Sequence, residues 1–471
     1  MAPCVACRTC RSCYDGDPCH TKDSAWAWIV CLAASMNLAF TVGLIYSFGV
    51  LLPVFMDYFK ENRERTAWIG SLSIALCLGS GPFVGSLVNR FGCRTVSITG
   101  CLTCALSLTV ASFANDLIIL YLCYGVLGAG ASCVFLSGFE IVRKCFDKRR
   151  SIALGITSAG QGIGTMALSQ VLQSLVNALS WRNSLRIVAG ALALNSFFGL
   201  LYDSKMYTTS NNEMLSREEV GERPTSKRFT FHWSVWKVPG FLLLTIGFFF
   251  VMFGRSVVYV HLVKYSEDRG MSLDASSRLI LFMGINIVLG RFACGFLCSY
   301  KRLDNWCIYQ ALLLVNGVST MLLTLAQNYE AFVAYSVVFG FCDGAWATVN
   351  NIQALTCVDH LRAASAFGFI LLAGFVSSMV GPPLSGLAAD KLGSYGPAFH
   401  MTGGAFVVAS LIPFVLRCKK SSDEEDAEHA QEPEYQSDNE VGMDGPLKIT
   451  QNSNDSKTTA VHDHTLFVST I

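Results

Sequence analysis

Charged residues are what this sequence has least of. Asp, Glu, Lys and Arg make up 15% of its 471 residues, where a soluble domain carries nearer to about a quarter. A shortfall of that size over so long a chain speaks against a soluble enzyme. No surplus of either sign exists. The 35 Lys and Arg face 34 Asp and Glu, for a net charge of +1, so nothing marks nucleic acid as a partner. The strict apolar–polar alternation of a membrane β-barrel is missing too. No cluster of His, Glu and Asp stands near a membrane face, as a membrane enzyme would need. The expectation is therefore no enzymatic activity, no cofactor and no metal site.

What is present is apolar length. Hydrophobic residues reach 52% and the mean hydropathy is +0.44. Apolar runs begin near Trp26, Trp68, Val96, Leu117, Ile152, Ser184, Val238, Ala275, Cys307, Ala331, Ala363 and Pro397. Each has the roughly 20 residues that cross a bilayer core at about 1.5 Å per residue. Backbone groups in lipid must find partners within their own segment, so these runs read as α-helices. The fold class expected is an all-α membrane protein of about twelve transmembrane helices in two halves of six.

Polar stretches divide the chain. The division expected is a Cys-rich cytosolic tail at 1–22, a first half at 23–202, a cytosolic linker at 203–237, a second half at 238–416 and an acidic, disordered cytosolic tail at 417–471. Arg143, Lys144, Lys148, Arg149 and Arg150 follow the fourth run, Arg90 and Arg94 the second, and Lys301 and Arg302 the eighth. Positive charge collects on the cytosolic side, which places both termini there. The first run starts too late and is too long for a cleaved signal peptide.

Ionisable residues at mid-bilayer are expensive, by about 2.5–3.5 kcal/mol on the mildest scale, and so mark function by default. Arg291 follows Gly290 inside an apolar run, and Asp343 lies near the centre of the tenth. The two are expected to pair, with Arg291 free to meet a cargo carboxylate in a fork of parallel hydrogen bonds. Asp343 then orients Arg291 or meets a cargo amino group. A purely structural ion pair is the competing account. Arg255 reads as an outer-end residue, as much a snorkelling side chain as a gate, and His261 as structural or interfacial. Asn37, Tyr46, Asn286 and Trp346 complete the candidate substrate-binding set. Gln161, Asn350 and Gln353 are further polar residues on apolar runs. Gly381-Pro382-Pro383 in the eleventh run is expected to bend its helix.

Three motifs carry a resemblance. Gly85–Arg94 resembles the loop 2–3 signature of major facilitator transporters, Gly-x-x-x-Asp-Arg-x-Gly-x-Arg, with Asn89 for the acid. Asp23, Trp26 and Trp28 resemble the opening motif of the monocarboxylate transporter family, from which Ser24 and Ala25 depart. Phe146, Lys148, Arg149, Arg150, Gly155 and Gly160 resemble that family's second motif, with Cys145 in place of its tyrosine. The resemblance runs from about Asp23 to Leu416. It implies the major facilitator fold and transport of a small organic acid across the plasma membrane. Trp26 and Trp28 are also ordinary interfacial anchors, and Lys148–Arg150 ordinary inside charge.

The resemblance also speaks to coupling. Proton–lactate members carry a lysine in span 1 and an acid four residues before the span 8 arginine. Here Val50 and Ile287 stand in those places and only Arg291 remains. The Arg291–Asp343 combination is closer to the branch that carries aromatic amino acids and thyroid hormones without proton coupling. The alternatives are a proton-coupled lactate or pyruvate symporter, or a non-transporting receptor or scaffold that works through its tails. Partners expected are the organic acid, the bilayer, a PDZ domain at Ser469–Ile471 and, as in some members of the family, a single-span accessory glycoprotein. Cys4, Cys7, Cys10, Cys13 and Cys19 suit acylation, metal binding or neither.

Overall fold

The computed structural model describes residues 22–202, 236, 238–298, 304–356 and 363–429. The N-terminal cysteines, the linker charges, the Lys301–Arg302 pair and Ser469–Ile471 lie outside them. The described chain is built from helices α1 (Ala25–Tyr46), α2 (Leu51–Phe59), α3 (Arg63–Gly79), α4 (Gly81–Ala111), α5 (Leu117–Cys145), α6 (Arg150–Ala178) and α7 (Trp181–Gly199). After the linker come α8 (Pro239–Asp268), α9 (Leu273–Cys298), α10 (Asn305–Leu322), α11 (Tyr329–Thr356), α12 (Ala363–Leu392) and α13 (Gly396–His429). Nine stretches among the described residues are long and apolar enough to cross a membrane. Residues up to Leu416 form one compact unit. Helix α13 runs on to His429, past the expected boundary at 416 into the acidic segment. Glu and Ala there are good helix formers, so an acidic composition alone did not stop the helix.

Two departures from plain spans matter for the site. The first apolar run is broken. Ser47 donates from its hydroxyl to the Gly43 carbonyl at 2.8 Å, and a 3₁₀ turn at Phe48–Val50 separates α1 from α2. Pro53 has no N–H to return to the helix, which favours a break just before it. Helix α4 is really two helices merged across Gly92, whose φ of 80° and ψ of 159° only glycine takes without strain. The loop 2–3 signature therefore turns on a single glycine. Pro382 and Pro383 lie inside the continuous α12.

Chain direction alternates, so the bundle has a linker-side end and a far end. At the linker-side end, Trp28 sets its edge against Phe146 with centroids 4.9 Å apart. The Asp23 carboxylate accepts from the backbone amides of Asp147 (3.4 Å), Lys148 (3.1 Å) and Arg149 (3.1 Å). Desolvation opposes its charge, but those amides and the nearby Arg149 charge hold the carboxyl below its ordinary range. Lys148 and Arg149 thus supply backbone donors to this contact. Gly160 packs against the Ser35 backbone, whereas Gly155 faces open space.

At the far end polar contacts tie α3 to α8 and α12, and α6 to α9. Arg63 at the start of α3 reaches Asp268 of α8 at 2.7 Å and Asp390 of α12 at 3.5 Å. Asp390 also accepts from the Glu64 amide at 3.0 Å. A second tie joins α6 to α9: Gln173 and Asn177 donate to Asp274 at 3.1 and 2.7 Å, and Gln170 donates to the Ser277 carbonyl at 2.9 Å. Behind the first tie, His261 bridges the Tyr395 hydroxyl (3.2 Å) and the Pro382 carbonyl (2.8 Å).

Candidate functional site

A cavity lies among α1, α3, α5, α6, α8, α9, α11 and α12. Its accessible volume is about 150 Å³, small beside the roughly 300–1,000 Å³ usual for drug-sized ligands. Its walls are mainly apolar and aromatic, with Phe135, Phe139, Phe248, Met252, Ile370 and Trp346 prominent. Tyr46, Gln161, Asn350, Arg255 and Arg291 are among its polar side chains.

The helix arrangement explains why two arginines meet here. Gly290 and Gly344 let α9 and α11 approach closely. A Cβ on Gly290 would collide with the Phe341 carbonyl, and one on Gly344 with the Ile287 carbonyl. Arg291 follows the first glycine and Asp343 precedes the second, so close packing brings both to one level. Asp343, Trp346 and Asn350 then recur at helical spacing on one face of α11.

The expected Arg291–Asp343 pair does not form. Asp343 pairs with Arg255 instead, whose Nε donates to its two oxygens at 2.9 and 3.2 Å. Arg255 is no outer-end residue. It sits mid-way along α8 and is 7% exposed, and α8 continues to Asp268 beyond it. Its Nη1 donates to the Tyr46 hydroxyl at 2.9 Å, and its guanidinium lies 4.7 Å from that ring's centroid. The Tyr259 hydroxyl donates to Asp343 at 3.1 Å. A buried acid and a buried base are each compensated here, which a buried charge requires.

Arg291 has no such compensation. Its Nη1 donates to the Ser158 carbonyl of α6, while its Nε has no hydrogen-bond partner among the described residues. No carboxylate pairs with it among those residues. Position explains the exchange of partners: Arg255 comes from the opposite side of Asp343, where Tyr46 and Tyr259 complete its shell, leaving Arg291 turned toward α6.

Of the other candidates, the cavity gathers Tyr46 and Trp346 and omits Asn37, Asn286 and Asp343. Asn37 is fully buried in a packing network, donating to the Tyr202 hydroxyl at 3.0 Å and accepting from Asn195 at 2.8 Å. Asn286 donates to the Phe282 carbonyl of its own helix at 2.9 Å. Val50 is buried against Val263 and Ile280. Sequence reasoning underrated Arg255 and missed Tyr259. The signal was available: the two are four apart on one helix and share a face.

The profile of the Major Facilitator Superfamily matches residues 27–315 and 304–451. The chain is 28% identical to Monocarboxylate transporter 12 of Xenopus laevis over 409 residues, covering 83% of this chain and 88% of that protein. It is 29% identical to Monocarboxylate transporter 10 of Mus musculus over 419 residues, covering 85% and 81%. Monocarboxylate transporter 4 of Gallus gallus is 27% identical over 393 residues, covering 83% and 82%.

Proposed function

The chain belongs to the Major Facilitator Superfamily, and we propose that it carries a small organic acid across the plasma membrane by alternating access, with Arg291 holding the cargo's carboxylate. It is a membrane transporter, not an enzyme. The observation that carries the substrate reading is the contrast at the cavity: Arg255 pairs with Asp343, and Arg291 has no carboxylate within ion-pair distance among the described residues. A guanidinium in an apolar cavity presents parallel N–H groups that match a carboxylate. The relatives' names, all monocarboxylate transporters, fit that chemistry.

Alternating access is supported by the ties at the far end, made through Arg63 and Asp274. A transporter needs a second state in which those ties part. Arginine-rich loops on the linker side support a cytosolic orientation of that side and of both termini. Apolar Val50 and Ile287 favour transport without an obligatory proton.

The test is uptake of radiolabelled monocarboxylates in oocytes, corrected for surface protein. Arg291→Ala is expected to lower uptake by about a hundredfold, the loss of a charge-assisted bidentate contact. Uptake at the wild-type rate with equal surface protein overturns the reading. An imposed inward proton gradient is expected to leave wild-type uptake unchanged.

A further inference from the structure

We propose that the cargo is an organic monoanion with a bulky apolar or aromatic body, and that zwitterionic amino acids are excluded from the same site. The inference rests on Arg291 as the carboxylate anchor and adds what the rest of the cavity accepts.

An amino acid brings an ammonium group into the cavity along with its carboxylate. Burying an ammonium needs an anion or several acceptors. Among the described residues, the cavity's lining includes Arg255 and Arg291 but neither Asp nor Glu. The nearest acid by sequence position, Asp343, is 2% exposed and lies outside the lining. Both its oxygens are already engaged, one by Arg255 and the other by Arg255 and Tyr259. An ammonium could recruit it only by breaking a buried pair. With Arg255 and Asp343 cancelling, the cavity keeps one positive charge, which suits one negative charge on the cargo.

The rest of the wall sets the cargo's body. Phe248 and Trp346 lie 5.8 Å apart by centroid, tilted at 32°, with Phe135, Phe139, Met252 and Ile370 around them. Such a wall rewards apolar area and gives little to a two- or three-carbon acid. Asn350, 5% exposed, lines the cavity with its Oδ1 unpartnered among the described residues. Asn350 and the other polar lining groups, such as Gln161, are neutral: they suit a hydroxyl or amide on the cargo and bring no negative charge to an ammonium.

The test uses matched ligands on the full-length protein: 3-phenylpropionate, phenylalanine, which adds only an ammonium, and phenethylamine, which lacks the carboxylate. Binding is read by intrinsic tryptophan fluorescence of purified protein, and uptake in oocytes. Expected is an affinity for 3-phenylpropionate at least about tenfold tighter than for phenylalanine, with no binding of phenethylamine. Lactate should bind more weakly than 3-phenylpropionate by a similar factor or more. Phenylalanine binding as tightly as 3-phenylpropionate, in a manner lost in Arg291→Ala, overturns the exclusion while leaving the carboxylate anchor in place. Lactate binding as tightly as 3-phenylpropionate overturns the claim about the body. If no anion binds, or if Arg291→Lys and Arg291→Ala both bind 3-phenylpropionate as the wild type does, the anchor itself is wrong and this inference goes with it.

Discussion

The two walls of the cavity treat a buried arginine in opposite ways. On the α8–α11 side, Arg255 has a carboxylate, a phenol and two aromatic faces within reach. On the α6–α9 side, Arg291 has one backbone carbonyl. The first is the composition of a structural element, a charge whose burial is offset within the fold. The second is a charge with no carboxylate partner among the described residues, which is what the proposed cargo anchor requires. Residue type alone does not distinguish them; the partner does.

That comparison can be broken by measuring stability and transport separately. The largest effect is expected from Asp343→Ala. It strands the Arg255 charge in the interior and should cost about 3–5 kcal/mol, read as a lowered unfolding midpoint in detergent. A midpoint close to wild type would mean that Arg255 finds water or turns away, and the contrast between the walls would vanish. Tyr259→Phe removes a single donor to Asp343 and should cost about 1 kcal/mol. Arg63→Gln, at the far-end tie with a partly exposed guanidinium, should cost under about 1 kcal/mol. Arg291→Met is expected to leave the midpoint unchanged or raised by up to about 1 kcal/mol, because it removes an uncompensated charge, yet to abolish uptake. An Arg291→Met protein as unstable as Asp343→Ala would make Arg291 structural.

Much of the architecture was legible from apolar run length. The positions of Trp26, Leu117, Val238 and Ala363 fall at or beside observed helix starts, because lipid leaves the backbone no other way to satisfy itself. The break after Tyr46 was not legible, since Ser47 takes its part through carbonyls on α1 and on α6, a neighbour remote in sequence. The site was half legible. Arg291 and Tyr46 stand out in sequence as charged or polar residues on apolar runs, and they line one cavity together with the candidate Trp346. The pairing was not readable, because it depends on which helix presents Arg255 to Asp343, and helix rotation is a tertiary fact. Asn37 looked the same as a cavity residue in sequence; only Tyr202 and Asn195 reveal it as packing. The two family motifs carried more than their residue types: Asp23 and Trp28 touch the segment around Phe146 directly, so what reads as two signatures is one contact.

The far-end tie has a consequence for how the molecule moves. A single guanidinium, Arg63, grips acids on two different helices, α8 and α12. Loss of that guanidinium would weaken the hold of α3 on both helices at once, with the Glu64 amide still on Asp390. Once Arg63 withdraws, Asp268 and Asp390 are left as neighbours of like sign, and Lys264 answers only the first, at 3.5 Å. With Arg63 absent, the like charges would face each other across α8 and α12, so the same guanidinium that fastens α3 also keeps those two helices together.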